Sequence, residues 1–132
     1  MFEGQPMIGS VVSISVGAAL GALLRWLLAG RFNAVFPALP LGTLAANLAG
    51  GYLIGVAVAV FAAIPDLSPQ ARLFVVTGFL GGLTTFSTFS AEVVTQLQHG
   101  HLSWALATTL AHLLGSFACT ALGIATVSWL RA

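Results

Sequence analysis

Gly78-Phe79-Leu80-Gly81-Gly82-Leu83-Thr84-Thr85-Phe86-Ser87-Thr88-Phe89-Ser90-Ala91-Glu92 lies within an apolar segment long enough to span a bilayer, yet it holds three glycines, five hydroxyl residues and a carboxylate. Hydrocarbon offers no hydrogen-bond partner to a broken backbone. Irregular polar chain at membrane depth therefore survives only where protein covers it or where it lines a polar cavity or pore. The stretch reads as the functional centre of a membrane-spanning segment.

Composition agrees with a membrane setting. The 132 residues suit one domain. Hydrophobic residues make up 58% and charged residues 5%, whereas a soluble domain needs roughly a quarter charged residues to cover its surface. There is no Lys, and the four cations Arg25, Arg31, Arg72 and Arg131 form no basic patch, which argues against nucleic acid as a partner. Cys119 is the single cysteine and is expected to be a small packing residue. Met1 to Pro6 carry Glu3 and no cation, and 17 uncharged residues run from Ile8 to Leu24. A signal peptide wants a basic start and a short apolar run, so this first run is expected to be a membrane span.

Length and punctuation mark four spans, at about 8–29, 41–63, 72–97 and 102–130. Asn33, Pro37 and Pro40 mark the first loop, Pro65-Asp66 with Ser68 and Pro69 the second, and Gln98-His99-Gly100-His101 the third. The expected fold is all-α: a single four-helix transmembrane domain over residues 1–132, with loops short enough to make sequential helices neighbours. With four spans, Arg72 and Arg131 fall on one side and Arg25 and Arg31 on the other, so the positive-inside rule gives two against two. Charge alone leaves two readings open. Either copies insert in both directions and pair as an antiparallel dimer, or other features set one orientation. Gly17 and Gly21, Gly51 and Gly55, and Gly78 and Gly82 are each four apart, a spacing that lets helix backbones approach closely in lipid.

Within the third span, Arg72 to Leu80 is apolar and helical in pattern, Gly81-Gly82 weakens the helix, and Thr84 and Thr85 are suited to cap a new one. Helical pattern resumes from Phe86 to Leu97. The halves would rise roughly 13 Å and 18 Å, placing a break near the midplane of a bilayer about 30 Å thick. Such a break reads either as a glycine kink for packing or as an ion site. The first half-helix would present unpaired carbonyls to a cation, and the second would present N–H groups to an anion. Phe86 and Phe89 are three apart and project from nearly one face. Aromatic stripes in membranes usually pack, but a ring edge is positive and accepts a small anion. Ser87, Thr88 and Ser90 add donors there. Asn47 in the second span brings a buried amide, with Thr43 one turn before it. On the fourth span Thr108, His112, Ser116 and Thr120 are each four apart and suggest a polar track. His112 reads as lumen-facing, as a helix-to-helix hydrogen-bond partner, or as a proton-sensitive group. Glu92 and Arg25 are the charges expected to enter the membrane region, or to snorkel to its surface. His99 and His101 lack a third metal ligand in their turn.

Residues 81–92 are similar to the signature of the Fluc/CrcB fluoride channel family, and 42–51 and 17–25 resemble its second-span and first-span motifs. The resemblance runs across all four spans in order. It implies an antiparallel dual-topology homodimer in a bacterial inner membrane, with two pores that each draw residues from both subunits. It implies passive fluoride export that protects the cell from fluoride toxicity, and no enzyme activity. By resemblance, Phe86 and Phe89 face fluoride with their ring edges, Asn47 is the pore asparagine, and Ser87, Thr88, Ser116 and Thr120 belong to the polar track. Arg25 matches an arginine near the vestibule. The backbone carbonyls of Gly81 and Thr84 match those that hold a structural sodium ion between subunits. Some members carry tyrosine where this chain has Thr108. Hydroxyls, an amide and ring edges suit a small, strongly hydrated anion, because they bind without the trapping that a full positive charge would cause. A proton-coupled multidrug exporter of similar size would want a carboxylate in the first span, which has none. An accessory subunit without transport of its own would not need so many polar groups at membrane depth.

Overall fold

The computed structural model describes residues 6–132; Glu3 and the rest of residues 1–5 lie outside the described part. Helix α1 spans Met7–Phe32 and runs into a 3-10 turn at Asn33–Val35. Helix α2 spans Leu41–Ala63 and α6 spans Leu102–Leu130. Between them lies a segmented third span. It opens with α3, Pro69–Arg72, continues as π-helix over Leu73–Leu80, and closes its first part with α4, Gly81–Leu83. Helix α5, Phe86–Gln98, follows after two extended residues, Thr84 and Thr85. Four segments are thus long and apolar enough to cross a membrane, the third running over Pro69–Gln98.

Local chemistry explains the boundaries. Pro40 precedes α2 and Pro69 occupies the first position of α3, where a missing N–H costs nothing. Ser68 caps α3 by accepting from the Gln70 and Ala71 amides. Arg72 closes the other side of that loop. Its guanidinium donates to the Phe61 and Pro65 carbonyls and sits 5.1 Å from the Phe61 ring centre. The α5–α6 turn uses Gly100 at φ 75°, the single positive φ among the described residues.

Short loops predict sequential neighbours, but the closest packing joins elements far apart in sequence. Helix α1 lies along the π segment and α4, and α2 lies along α6. Small residues decide this. A methyl added at Gly21 would collide with the Phe79 carbonyl, one at Gly82 with the Ala18 carbonyl, and one at Gly55 with the Thr120 carbonyl. Such backbone-to-backbone approach is the way helices associate in lipid, where apolar burial alone offers no driving force between them. The buried centre is small: Ala46, Leu80 and Leu83, flanked by Leu28, Ile54, Val75 and Phe79. Large apolar side chains instead cover the outside, as in Trp26, Leu106, Leu114, Phe117 and Trp129. That inside-out distribution fits a lipid-facing surface.

Candidate functional site

The chain leaves helical geometry at Thr84, with φ −85° and ψ 154°, and at Thr85, with φ −148° and ψ 115°. Gly81 and Gly82 remain helical. The helix therefore runs through the glycines and departs at the threonines. The two hydroxyls then divide the work. Thr84 Oγ1 donates back to the Leu80 carbonyl at 2.9 Å and finishes the first part. Thr85 Oγ1 accepts the Thr88 amide at 3.1 Å and caps α5. Thr85 Oγ1 also lies 3.0 Å from Thr88 Oγ1 and 3.3 Å from Ser87 Oγ.

The four carbonyls from Gly81 to Thr84 lose their helical partners as a result. The Thr85 N–H, which would have closed on Gly81 O, is spent on Asn47 Oδ1 at 2.8 Å. The Thr88 N–H, which would have closed on Thr84 O, is spent on Thr85 Oγ1. The neighbouring Gly82 carbonyl is answered from α1, where Arg25 Nε donates to it at 3.0 Å.

Asn47 is fully committed. Its Oδ1 accepts from Thr85 N, and its Nδ2 donates both to Thr85 O at 3.0 Å and to His112 Nδ1 at 2.9 Å. An amide offers two donor hydrogens, and both are used. His112, 3% exposed, in turn stacks on Phe89 with ring centres 4.5 Å apart. Phe89 meets Phe86 edge to face at 5.5 Å and 78°. The two rings differ sharply in setting, for Phe89 is 6% exposed and Phe86 73%.

These groups border one cavity of about 450 Å³. Asn47, Gly81, Thr84, Phe86, Phe89, Ser116 and Thr120 of the expected site residues lie on its wall, joined by Thr85 and His112. Thr120 Oγ1 lies 2.9 Å from Gly51 O and 3.0 Å from Ser116 O, so its proton bonds backbone. Arg25, Thr43, Ser87 and Thr88 are not on this wall. Ser87 and Thr88 sit in the α5 cap instead. Thr43 forms a separate cluster: its amide donates to Asn33 Oδ1, and its hydroxyl donates to Glu92 Oε1 at 2.7 Å. Thr108, at the far end of the α6 stripe, is completely buried and its hydroxyl has no partner among the described residues; the buried atoms Glu92 Oε2 and His112 Nε2 likewise have none there.

Sequence reading offers Thr85, beside Thr84, only as a cap for the new helix, and does not foresee its contact with Asn47. Its only signal is a hydroxyl three residues before Thr88 at a helix start. His112 is signalled by its place in the four-residue stripe, and of its three readings the structure displays two, the helix-to-helix hydrogen bond and a place on the cavity wall.

Four membrane-capable helices and a mostly apolar cavity, lined by aromatic and aliphatic side chains with a few hydroxyl and amide groups, define a multi-pass membrane protein with an internal cleft. The chain belongs to the CrcB family, whose model, described as CrcB-like protein, Camphor Resistance (CrcB), matches residues 12–124. A protein of Burkholderia cenocepacia named fluoride-specific ion channel FluC is 62% identical over 127 residues, covering 96% of this chain and 99% of the relative. Proteins of the same name from Tolumonas auensis and Chromobacterium violaceum are 60% identical over 125 residues and 61% identical over 122 residues. They cover 95% and 92% of this chain, and 98% and 97% of their own lengths.

Proposed function

We propose that this protein is a fluoride-selective ion channel, an ion conductor rather than an enzyme, which lets fluoride leave the cell passively and so protects it. The observation that carries this reading is full-length similarity, at 62% identity over 96% of the chain, to a protein named for fluoride-specific conduction. The site is chemically suited to the task. Phe86 and Phe89 offer ring edges, Ser116 offers a hydroxyl, and among the described residues no arginine borders the cavity. A weakly polar wall releases a small anion that a cation would hold.

The working unit in this reading is an antiparallel, dual-topology homodimer in the bacterial inner membrane, with the interrupted third span near mid-membrane. Its support is the two-against-two arginine balance and the exposure of Phe86, a large ring beside the cavity that is 73% exposed despite its edge-to-face contact with Phe89. The family resemblance assigns a structural sodium ion between subunits to the carbonyls of Gly81 and Thr84, and both are without their helical amides here, which go to Asn47 and Thr85. Neutral carbonyl oxygens are suitable ligands for a hard cation. When bound, the ion would tie the two interrupted spans together. Ser87, Thr88, Thr43 and Arg25 belong in this reading to the approaches of the pore rather than to the cavity wall. The test is fluoride efflux from proteoliposomes. Efflux should require charge compensation by a potassium ionophore and ignore an imposed proton gradient. Release that depended on a counter-moving proton would sink the channel mechanism.

A further inference from the structure

We infer that His112 is a positioning residue for this pore, holding Asn47 in place through an unprotonated Nδ1; the inference rests on the channel reading above. The assignment follows from hydrogen-bond accounting. Asn47 Oδ1 must accept from Thr85 N–H, and Asn47 Nδ2 must donate to Thr85 O, so the orientation of the amide is fixed by one residue's backbone. The group that faces His112 Nδ1 is therefore the second N–H of Nδ2, at 2.9 Å. Two donors cannot share that distance. Nδ1 must accept, and the neutral ring carries its proton on Nε2.

A protonated ring would carry hydrogen on both nitrogens and set N–H against N–H. Asn47 would then have to turn its amide, losing both bonds to Thr85, or His112 would have to leave its stack on Phe89. Either movement disturbs the two extended residues or the buried ring of the aromatic pair. One layer across α2, α5 and α6 thus couples His112, Asn47, Thr85 and Phe89.

The titratable and charged groups around this layer are few. From α5 the nearest is Glu92, three residues beyond Phe89, with Oε1 held by Thr43. From α2 the titratable group is Tyr52, bonded to Thr126 far along α6. From α1, Arg25 spends its Nε on Gly82 O. None of these bonds His112, so the ring's protonation state is read by Asn47.

The experiment compares the parent channel with His112→Asn and His112→Leu in proteoliposomes, with protein-free vesicles as the control for leak. Asn supplies an acceptor at the position of Nδ1 that does not titrate, and Leu supplies none. Parent efflux should be full above the titration of the ring and fall roughly tenfold for each pH unit below it. His112→Asn should retain most of the efflux and lose this acid sensitivity. His112→Leu should lose at least about tenfold at every pH. A His112→Leu channel that conducts like the parent, or a His112→Asn channel with the parent's acid loss, overturns the inference. Should His112→Leu fail to assemble, nitrogen NMR of histidine-labelled parent in bilayers decides: an unprotonated Nδ1 and protonated Nε2, assigned by the signal missing in His112→Asn, support it, and a proton on Nδ1 ends it. Parent protein without any fluoride efflux would instead remove the channel reading, and the NMR result would still stand or fall by itself.

Discussion

Asn47 satisfies both backbone groups of Thr85 at once, accepting from its N–H at 2.8 Å and donating to its C=O at 3.0 Å. A side chain of α2 thereby acts as the missing neighbour for an extended residue between two helices. That pairing lets the third span leave helical geometry without stranding the polar groups of Thr85.

Removing this side chain should be costly. Asn47→Ala leaves the buried Thr85 N–H and C=O unpaired, at about 1–3 kcal/mol for each group. Asn47→Asp keeps the acceptor and loses both donors. Expected is a clear drop in thermal stability in detergent for Ala and a smaller one for Asp, with efflux reduced in both. An Ala variant as stable as the parent would contradict the pairing.

Adjacent glycines should respond differently. Gly82→Ala drives a methyl into the Ala18 carbonyl, a backbone atom that cannot turn aside. Gly81→Ala meets nothing nearer than Val76 O at 3.8 Å. The first should cost about 3 kcal/mol or more through overpacking and the second under about 1 kcal/mol. Yield of folded protein and melting temperature, measured side by side, check the contrast.

Phe86→Ile changes a ring that is 73% exposed, and Phe89→Ile one that is 6% exposed. The first should leave the single chain's stability unchanged. The second should lower it, because the stack on His112 is lost. Both should cut efflux at least tenfold, about 1.4 kcal/mol in barrier. Near-normal efflux in both would remove the ring-edge role.

Sodium replacement tests the carbonyl site. Prolonged exchange into a large organic cation should reduce efflux, and sodium should restore it, whereas chloride-for-sulfate exchange at constant sodium should have no such effect. Efflux indifferent to sodium throughout would leave Gly81 and Thr84 without a cation.

Charge balance can be upset directly. Three Lys placed in the turn around Gly100 bias one side of an otherwise two-against-two chain. Expected is a single orientation by accessibility labelling, with loss of both assembly and efflux. Normal dimers from the biased chain would contradict the antiparallel arrangement.

The spans were legible because their signal is local. Twenty or so apolar residues, proline and glycine punctuation, and Ser68 or Thr85 at a helix start can be read without knowing the fold. The exact departure point was less so. Gly81-Gly82 has the poorest propensity, yet both stay helical, because Gly82 is held against α1 and its carbonyl is bonded by Arg25. The π-helical stretch Leu73–Leu80 likewise has no mark in its apolar composition.

Sequence by itself determined the membrane class, the four helices, the family motif and the residue types of the site. Tertiary structure decided which of those residues meet. Asn47 is 38 positions from Thr85 and 65 from His112, and Thr43 is 49 from Glu92. No spacing rule along one helix reaches across such intervals. Only the glycine-mediated approach of α2 to α6 and of α1 to the third span brings them within hydrogen-bond distance. The need to satisfy every polar group away from water then selects their partners.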